Sequence, residues 1–364
     1  MTNLVTPRPG ILDLKPYVPG NAGLDNSRPV MQLASNESAL GPSPLAIEAY
    51  RTVAARLNRY PDGGCSELRS AIAARYQLAA DHLVFANGSE HLIDLICHAY
   101  AGPGDDVLFS EYAFLMYRVS TLAAGARPIT APEQNFHASV DALLAAVTPQ
   151  TRIVFLANPN NPTGTYQAAS EIQRLRQQLR ADILLVIDSA YAEFVDKADY
   201  SAGYELVNDT TPNVIVLHTF SKIFGLAALR AGWGYGAQEV IDVINRIRGA
   251  FTVNAPAQAA AVAALNDLTH MRKVKQHNDQ WLPWLSNAIS ELGIRITPSI
   301  GNFVLTHHAN ADTANALVNY LKARDIIVRP MAGFGIPNAV RISVGLEHEN
   351  HACIEGVRDF LATR

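Results

Sequence analysis

Short apolar runs alternating with helix-length stretches, starting at residue 82, most constrain how this 364-residue chain can fold. The runs cover residues 82–86, 106–110, 153–157, 183–188 and 214–219. Helical stretches lie between most of them, as at 91–100, 114–124 and 168–180. A strand that is apolar along its whole length is covered on both faces, and strands that alternate with helices pair in parallel. The pattern predicts an α/β fold, a mostly parallel sheet sandwiched by helices. Such sheets bind ligands beyond the carboxyl ends of their strands, so the residues at those ends carry the functional information.

The flanks differ from this middle. Residues 1–43 are rich in Pro, Gly and Asn and read as an extended arm. Residues 44–78 read as two helices interrupted by the turn-forming Asn58-Arg-Tyr-Pro-Asp-Gly-Gly64. After Pro256 a long helical stretch, 257–292, is followed by strands at 302–306 and 339–344 and helices at 313–323 and 347–362. We therefore expect a large domain at 44–255 and a smaller α+β domain at 256–364, completed by the arm. Length, 49% hydrophobic residues and 17% charged residues fit a globular chain of this organisation. A net charge of −4 without a basic run argues against nucleic acid and anionic membrane as partners. Cys65, Cys97 and Cys353 are far apart and form no C-x-x-C pair, which predicts free thiols. The N-terminal residues lack the apolar core of a signal peptide, and no apolar run reaches membrane-spanning length. The expected location is cytoplasmic.

The strand ends are chemically loaded. After 214–219 comes Thr219-Phe-Ser221-Lys222, with Arg230 eight residues beyond the lysine. Lysine holds an aldehyde cofactor as a Schiff base, and hydroxyls with an arginine suit a phosphate on the same cofactor. Pyridoxal 5′-phosphate is such an aldehyde. The run 183–188 ends on Asp188, with Tyr191 following. Asp188 either caps the next turn or holds a proton on a pyridine nitrogen, and Tyr191 could donate to the ring oxygen. After 153–157, Asn158-Pro-Asn-Asn161-Pro-Thr-Gly164 is either a plain turn or a source of an amide donor, Asn161. Gly88, Ser89 and Glu90 stand between a strand and a helix, where free N–H groups suit a phosphate. Phe114 can stack on a planar ring or pack in the core. Arg329 and Arg341 each interrupt a β-like apolar run. Each is either a surface strand residue or a fork for carboxylate or phosphate.

Two other patterns carry less. Gly232-Trp-Gly-Tyr-Gly-Ala237 matches a dinucleotide-binding pattern formally, but no acid follows where a ribose would need one. The histidines lack metal-ligand spacing.

Taken together, the motifs resemble the pyridoxal-phosphate-dependent aminotransferases of fold type I, and within them the histidinol-phosphate aminotransferases. The resemblance covers nearly the whole chain. It runs from Leu14-Lys-Pro-Tyr17 and Asn36-Glu37 through Asn58-Arg-Tyr60 and Asn87-Gly-Ser-Glu90, then through the strand-end motifs to Val340-Arg-Ile-Ser-Val-Gly345. It implies that Lys222 carries the cofactor covalently and shuttles a proton. Asp188 then pairs with the ring nitrogen, Tyr191 and Asn161 meet the ring oxygen, and Phe114 stacks on the ring. Gly88, Ser89, Glu90, Thr219, Ser221 and Arg230 surround the phosphate. Tyr60 is implied to reach the phosphate in a partner subunit, which makes the unit a homodimer. Tyr17, Asn36, Asn161, Arg329 and Arg341 are implied to line the substrate pocket. The implied reaction is transamination between L-histidinol phosphate and 2-oxoglutarate. An aromatic-amino-acid aminotransferase, a threonine-phosphate decarboxylase and a non-catalytic cofactor-binding module would share the cofactor residues. Ser189 and Ala113 depart from the Glu and Thr common in the family, which leaves room for drift in substrate choice.

Overall fold

The structure, a computed structural model, describes residues 7–12, 14, 30–208 and 213–363. Its strands are β1 (Met31–Leu33), β2 (Leu83–Ala86), β3 (Asp106–Ser110), β4 (Arg127–Ala131), β5 (Thr151–Ala157) and β6 (Leu184–Asp188), then β7 (Val214–Thr219), β8 (Gly232–Gly236), β9 (Arg295–Thr297), β10 (Phe303–His307), β11 (Ile326–Pro330) and β12 (Ala339–Ser343). Its helices are α1 (Pro44–Val53), α2 (Ser66–Tyr76), α3 (Ser89–Tyr100), α4 (Leu115–Ala124), α5 (Val140–Ala145) and α6 (Ala169–Gln178), then α7 (Gln238–Ile247), α8 (Ala255–Asn266), α9 (Leu268–Glu291), α10 (Ala311–Lys322) and α11 (Glu347–Ala362).

Seven strands form one sheet in the order β2-β8-β7-β6-β5-β3-β4. Neighbours from β4 to β7 are parallel, while β8 runs antiparallel to both β7 and β2. Every strand except β8 therefore ends at the same edge, and β8 starts there. Alternate side chains explain the uniform hydrophobicity of the runs. Leu184 and Val186 of β6 join the core that holds Leu92 and Ile96 of α3, whereas Leu185 and Ile187 pack with Ile172 and Leu175 of α6. Each such fully buried aliphatic side chain contributes about 1.5–3 kcal/mol.

Three departures from the sequence reading have physical causes. The stretch 257–292 is two helices, because Asp267 leaves the helical region at φ −87°, ψ 70° and caps α9 by accepting from His270 N at 3.0 Å. The Ser43 hydroxyl also donates to Asp267, at 2.5 Å. The strand β4 lies at the sheet edge, where one partner suffices and Pro128 is tolerated, so it lacks a strong apolar run. The glycine-rich 232–236 segment is strand β8, squeezed between β2 and β7.

The second sheet has the order β1-β11-β12-β10-β9, with β1 contributed from near residue 30 and parallel to β11. Trp281, Leu285 and Ile289 of α9 and Cys353, Ile354 and Val357 of α11 pack on it. All three cysteines are free and buried. No described helix is long and apolar enough to cross a membrane, and the described residues hold no metal-binding cluster of His, Cys, Asp or Glu.

Candidate active site

The shared strand edge opens on a cavity of about 240 Å³, room for one substituted ring. Lys222 follows β7 by three residues and is half-buried. Its Nζ donates to the Ser35 carbonyl at 3.1 Å and lies 5.6 Å from the centre of the Tyr191 ring. Desolvation in the cleft lowers its pKa to about 8, helped by the positive charges of Arg341 and Arg230 and opposed by Glu37 and Asp188.

Asp188 ends β6 and is buried beside this cavity. The Tyr117 hydroxyl donates to its Oδ2 at 2.8 Å, and Ala190 N donates to Oδ1 at 3.2 Å. Burial raises its pKa, and the Tyr117 hydrogen bond is the largest opposing influence. A buried carboxylate of this kind has most to gain from a cationic partner. Tyr191 is buried nearby, and the Asn36 amide donates to its hydroxyl at 2.9 Å. Asn161, after β5, lines the cavity, and its amide oxygen accepts from Arg341. Phe114 lines the same cavity, its ring edge-on to Tyr117 at 5.9 Å.

The other end of the cavity is built for an anion. Gly88, at φ +87°, turns the chain from β2 into α3, and Ser89 and Glu90 line the cavity at the helix start. A Cβ on Gly88 would come 2.8 Å from Arg230 Nη2, and one on Gly232 would come 2.3 Å from Ser89 N. These two glycines let backbone N–H groups and the Arg230 guanidinium close around one small space. Arg230 itself sits at φ +57° and donates to the Ala227 carbonyl at 3.1 Å. Thr219 and Ser221 complete the rim, their hydroxyls bonded to each other at 2.9 Å. A buried carboxylate, a lysine and an anion cradle around one cavity fit the ring nitrogen, aldehyde and phosphate of pyridoxal phosphate in charge.

The substrate-side expectations divide. Arg341, on β12, reaches the cavity through Asn161 and also donates to the Ala34 carbonyl at 2.7 Å. Arg329 is buried opposite Arg341 in the β11–β12 register and does not line the cavity. Tyr60 is 81% exposed, stacked on Phe251 at 4.5 Å in a separate crevice of its own chain. Tyr17 lies outside the described residues. Sequence reasoning missed three participants. Tyr117 stands one helical turn after Phe114, and that spacing was its only local signal. Ser35 and Glu37 act on the lysine from a distant segment; Ser35 leaves no local trace, and Glu37 stood in the Asn36-Glu37 motif without this role.

The sheet order and this gradient of charge define a pyridoxal-phosphate-dependent enzyme of fold type I, with pyridoxal 5′-phosphate as its cofactor. The sequence profile described as aminotransferase class I and II matches residues 28–354. The chain belongs to that family. It is 50% identical to the histidinol-phosphate aminotransferase of Paramagnetospirillum magneticum over 98% of both chains. To that of Rhodopseudomonas palustris it is 45% identical, again over 98% of both. The crystal structure of histidinol-phosphate aminotransferase from Sinorhizobium meliloti in complex with pyridoxal-5′-phosphate superposes with a TM-score of 0.90, 25% identity and full coverage of both chains.

Proposed function

We propose that the protein transfers the amino group of L-histidinol phosphate to 2-oxoglutarate, yielding imidazole acetol phosphate and L-glutamate. The observation that carries this donor choice is the 50% identity, sustained over 98% of the chain, to a relative bearing that activity in its name. When bound, pyridoxal phosphate supplies an electrophilic carbon for the amino group and a ring that takes up the electron pair left at the substrate's Cα. Lys222 would anchor the cofactor, and its amine would move the proton at the substrate's Cα. Asp188 keeps the ring nitrogen protonated. Asn161 and Tyr191 donate to the ring oxygen, and Phe114 covers one face of the ring and excludes water from it. Gly88, Ser89, Glu90, Thr219, Ser221 and Arg230 hold the phosphate.

Arg341, with Arg329 opposite it in the β11–β12 register, receives the substrate anion, and Asn36 and Tyr17 complete that side. A guanidinium fork binds a phosphate monoester and a carboxylate with similar geometry, so one pocket serves both substrates in turn. The exposed Tyr60 is supplied to the partner subunit's site, which makes the working unit a homodimer, and its place of action is the cytoplasm. Residues 44–255 form the large domain, and 1–43 with 256–364 the small one. The link between them runs through α8, whose alanines pack with Leu68 and Ile72 of α2.

Steady-state rates on histidinol phosphate, phenylalanine and threonine phosphate, with CO₂ monitored, test the reading. We expect the highest kcat/KM on histidinol phosphate and no CO₂ from any donor. A preference for phenylalanine, or CO₂ release from threonine phosphate, would replace the proposed donor.

A further inference from the structure

Tyr117 is entirely buried in the first turn of α4, directly behind the cavity-lining Asp188 and Phe114 and not itself part of the cavity wall. A buried phenol needs a hydrogen-bond partner, and any acceptor in the core would serve. Here the partner is Asp188, a charge-bearing residue at the cavity, with an O···O distance of 2.8 Å. The ring is fixed independently of that bond. It stacks on Phe155 at 4.5 Å with an interplanar angle of 7°, and it meets the Phe114 edge and Phe109. Its hydroxyl is thus aimed by packing rather than free to choose. Asp188 has about four lone-pair sites and spends only two within the protein, on Tyr117 and on Ala190 N. Both oxygens therefore keep acceptor capacity, in a residue that lines the cavity.

We propose that Tyr117 is a positioning residue for the cofactor: its hydroxyl orients Asp188 and keeps that carboxylate ionised opposite the ring nitrogen. The inference rests on the reading of Asp188 given above. The chain must hold a carboxylate charged in a place where burial opposes the charge, and Tyr117 is the strongest counterweight at hand. Burial and the charge of Asp188 push the Tyr117 hydroxyl well above the ordinary phenol range, so it remains a donor at any working pH. The other titratable groups around Asp188 are His218 from β7, Lys222 beyond it, and Tyr191 and Tyr200 after β6. Of these, none donates to the carboxylate within the described hydrogen bonds. A single helix start then supplies both the ring-covering Phe114 and the residue that sets Asp188.

The test is a pH titration of the visible absorption of the holoenzyme, in wild type, Tyr117→Phe, Asp188→Asn and the double variant, each at saturating cofactor. Tyr117→Phe keeps the stacked ring and removes one oxygen. A carboxylate that loses this donor becomes more basic and draws the shared proton from the ring nitrogen. A less positive ring raises the pH at which the bound cofactor's absorption changes. We expect Tyr117→Phe to shift that midpoint upward by roughly 0.5–1 unit and to weaken cofactor binding about 5–10-fold, the range of one intramolecular hydrogen bond. Asp188→Asn should shift the midpoint further, and in that background Tyr117→Phe should add nothing. An unmoved midpoint in Tyr117→Phe, with Asp188→Asn shifted, overturns the proposal. An unmoved midpoint in Asp188→Asn overturns the reading of Asp188 instead. Thermal melting of the apoprotein supplies the structural control. A lowered melting temperature in Tyr117→Phe with the absorption midpoint unmoved assigns Tyr117 to the core alone.

Discussion

The pKa of Lys222 expresses how the cleft is wired at the level of single residues. Desolvation and two neighbouring guanidinium groups bring it to about 8. Only the neutral amine is a nucleophile. An amine with that pKa is about one-tenth neutral at pH 7, whereas an ordinary lysine is neutral at roughly one part in three thousand. The rate at which the apoprotein captures pyridoxal phosphate should therefore rise with pH and level off just above 8. An ordinary lysine would keep gaining rate beyond pH 10. Stopped-flow absorbance over pH 6–10 distinguishes the two. Replacing Arg341 by Ala removes a positive charge near the amine, so the midpoint of that profile should move to higher pH. The same substitution should lower kcat/KM at least about 30-fold, the equivalent of a charge-assisted hydrogen bond of about 2 kcal/mol, while the visible band of bound cofactor persists.

Among the elements, β8 and the cap of α9 do different work. Gly232 opens β8 against the start of α3, and a Cβ there would press on Ser89 N at 2.3 Å and on Gly88 C at 2.4 Å. Those are backbone atoms of the anion cradle and cannot swing aside. Gly232→Ala should cost about 1–3 kcal/mol of stability and weaken cofactor retention as well, read by melting and by dialysis. Asp267 touches only structure. Asp267→Ala removes the α9 cap and the Ser43 partner, and should cost about 1 kcal/mol in denaturant unfolding with kcat and KM unchanged. The sequence showed the elements unevenly for the same physical reasons. Fully covered strands such as β6 are continuous apolar runs and stand out. The edge strand β4, with a proline, does not, and β8 resembles a turn because its glycines serve close packing rather than flexibility. The break at Asp267 was hidden because one capping residue interrupts an otherwise helical stretch.

At the scale of the whole molecule, the site collects groups from segments far apart in the chain. Lys222 meets Ser35 across 187 positions, and Asp188 meets Tyr117 across 71. The strand-end residues were legible because the fold class dictates where such ends converge. Contacts brought in by tertiary packing from the arm and from α4 were not, since no local period encodes them. A proposed homodimer with Tyr60 shared between sites predicts complementation. Lys222→Ala and Tyr60→Ala should each be severely impaired as homodimers. Co-expressed in equal amounts, they should recover about a quarter of wild-type activity, because half the dimers are mixed and each mixed dimer holds one native site. No recovery would place Tyr60 outside the shared site. The central claim, that this cleft transfers an amino group from histidinol phosphate, is tested most directly by a half-reaction. Holoenzyme is mixed with L-histidinol phosphate alone and the visible absorption of the cofactor is followed. The account predicts loss of the band at a rate compatible with turnover, release of one keto product per site, and return of the band on adding 2-oxoglutarate. A band that histidinol phosphate leaves unchanged, in protein that holds its cofactor through Lys222, would contradict it.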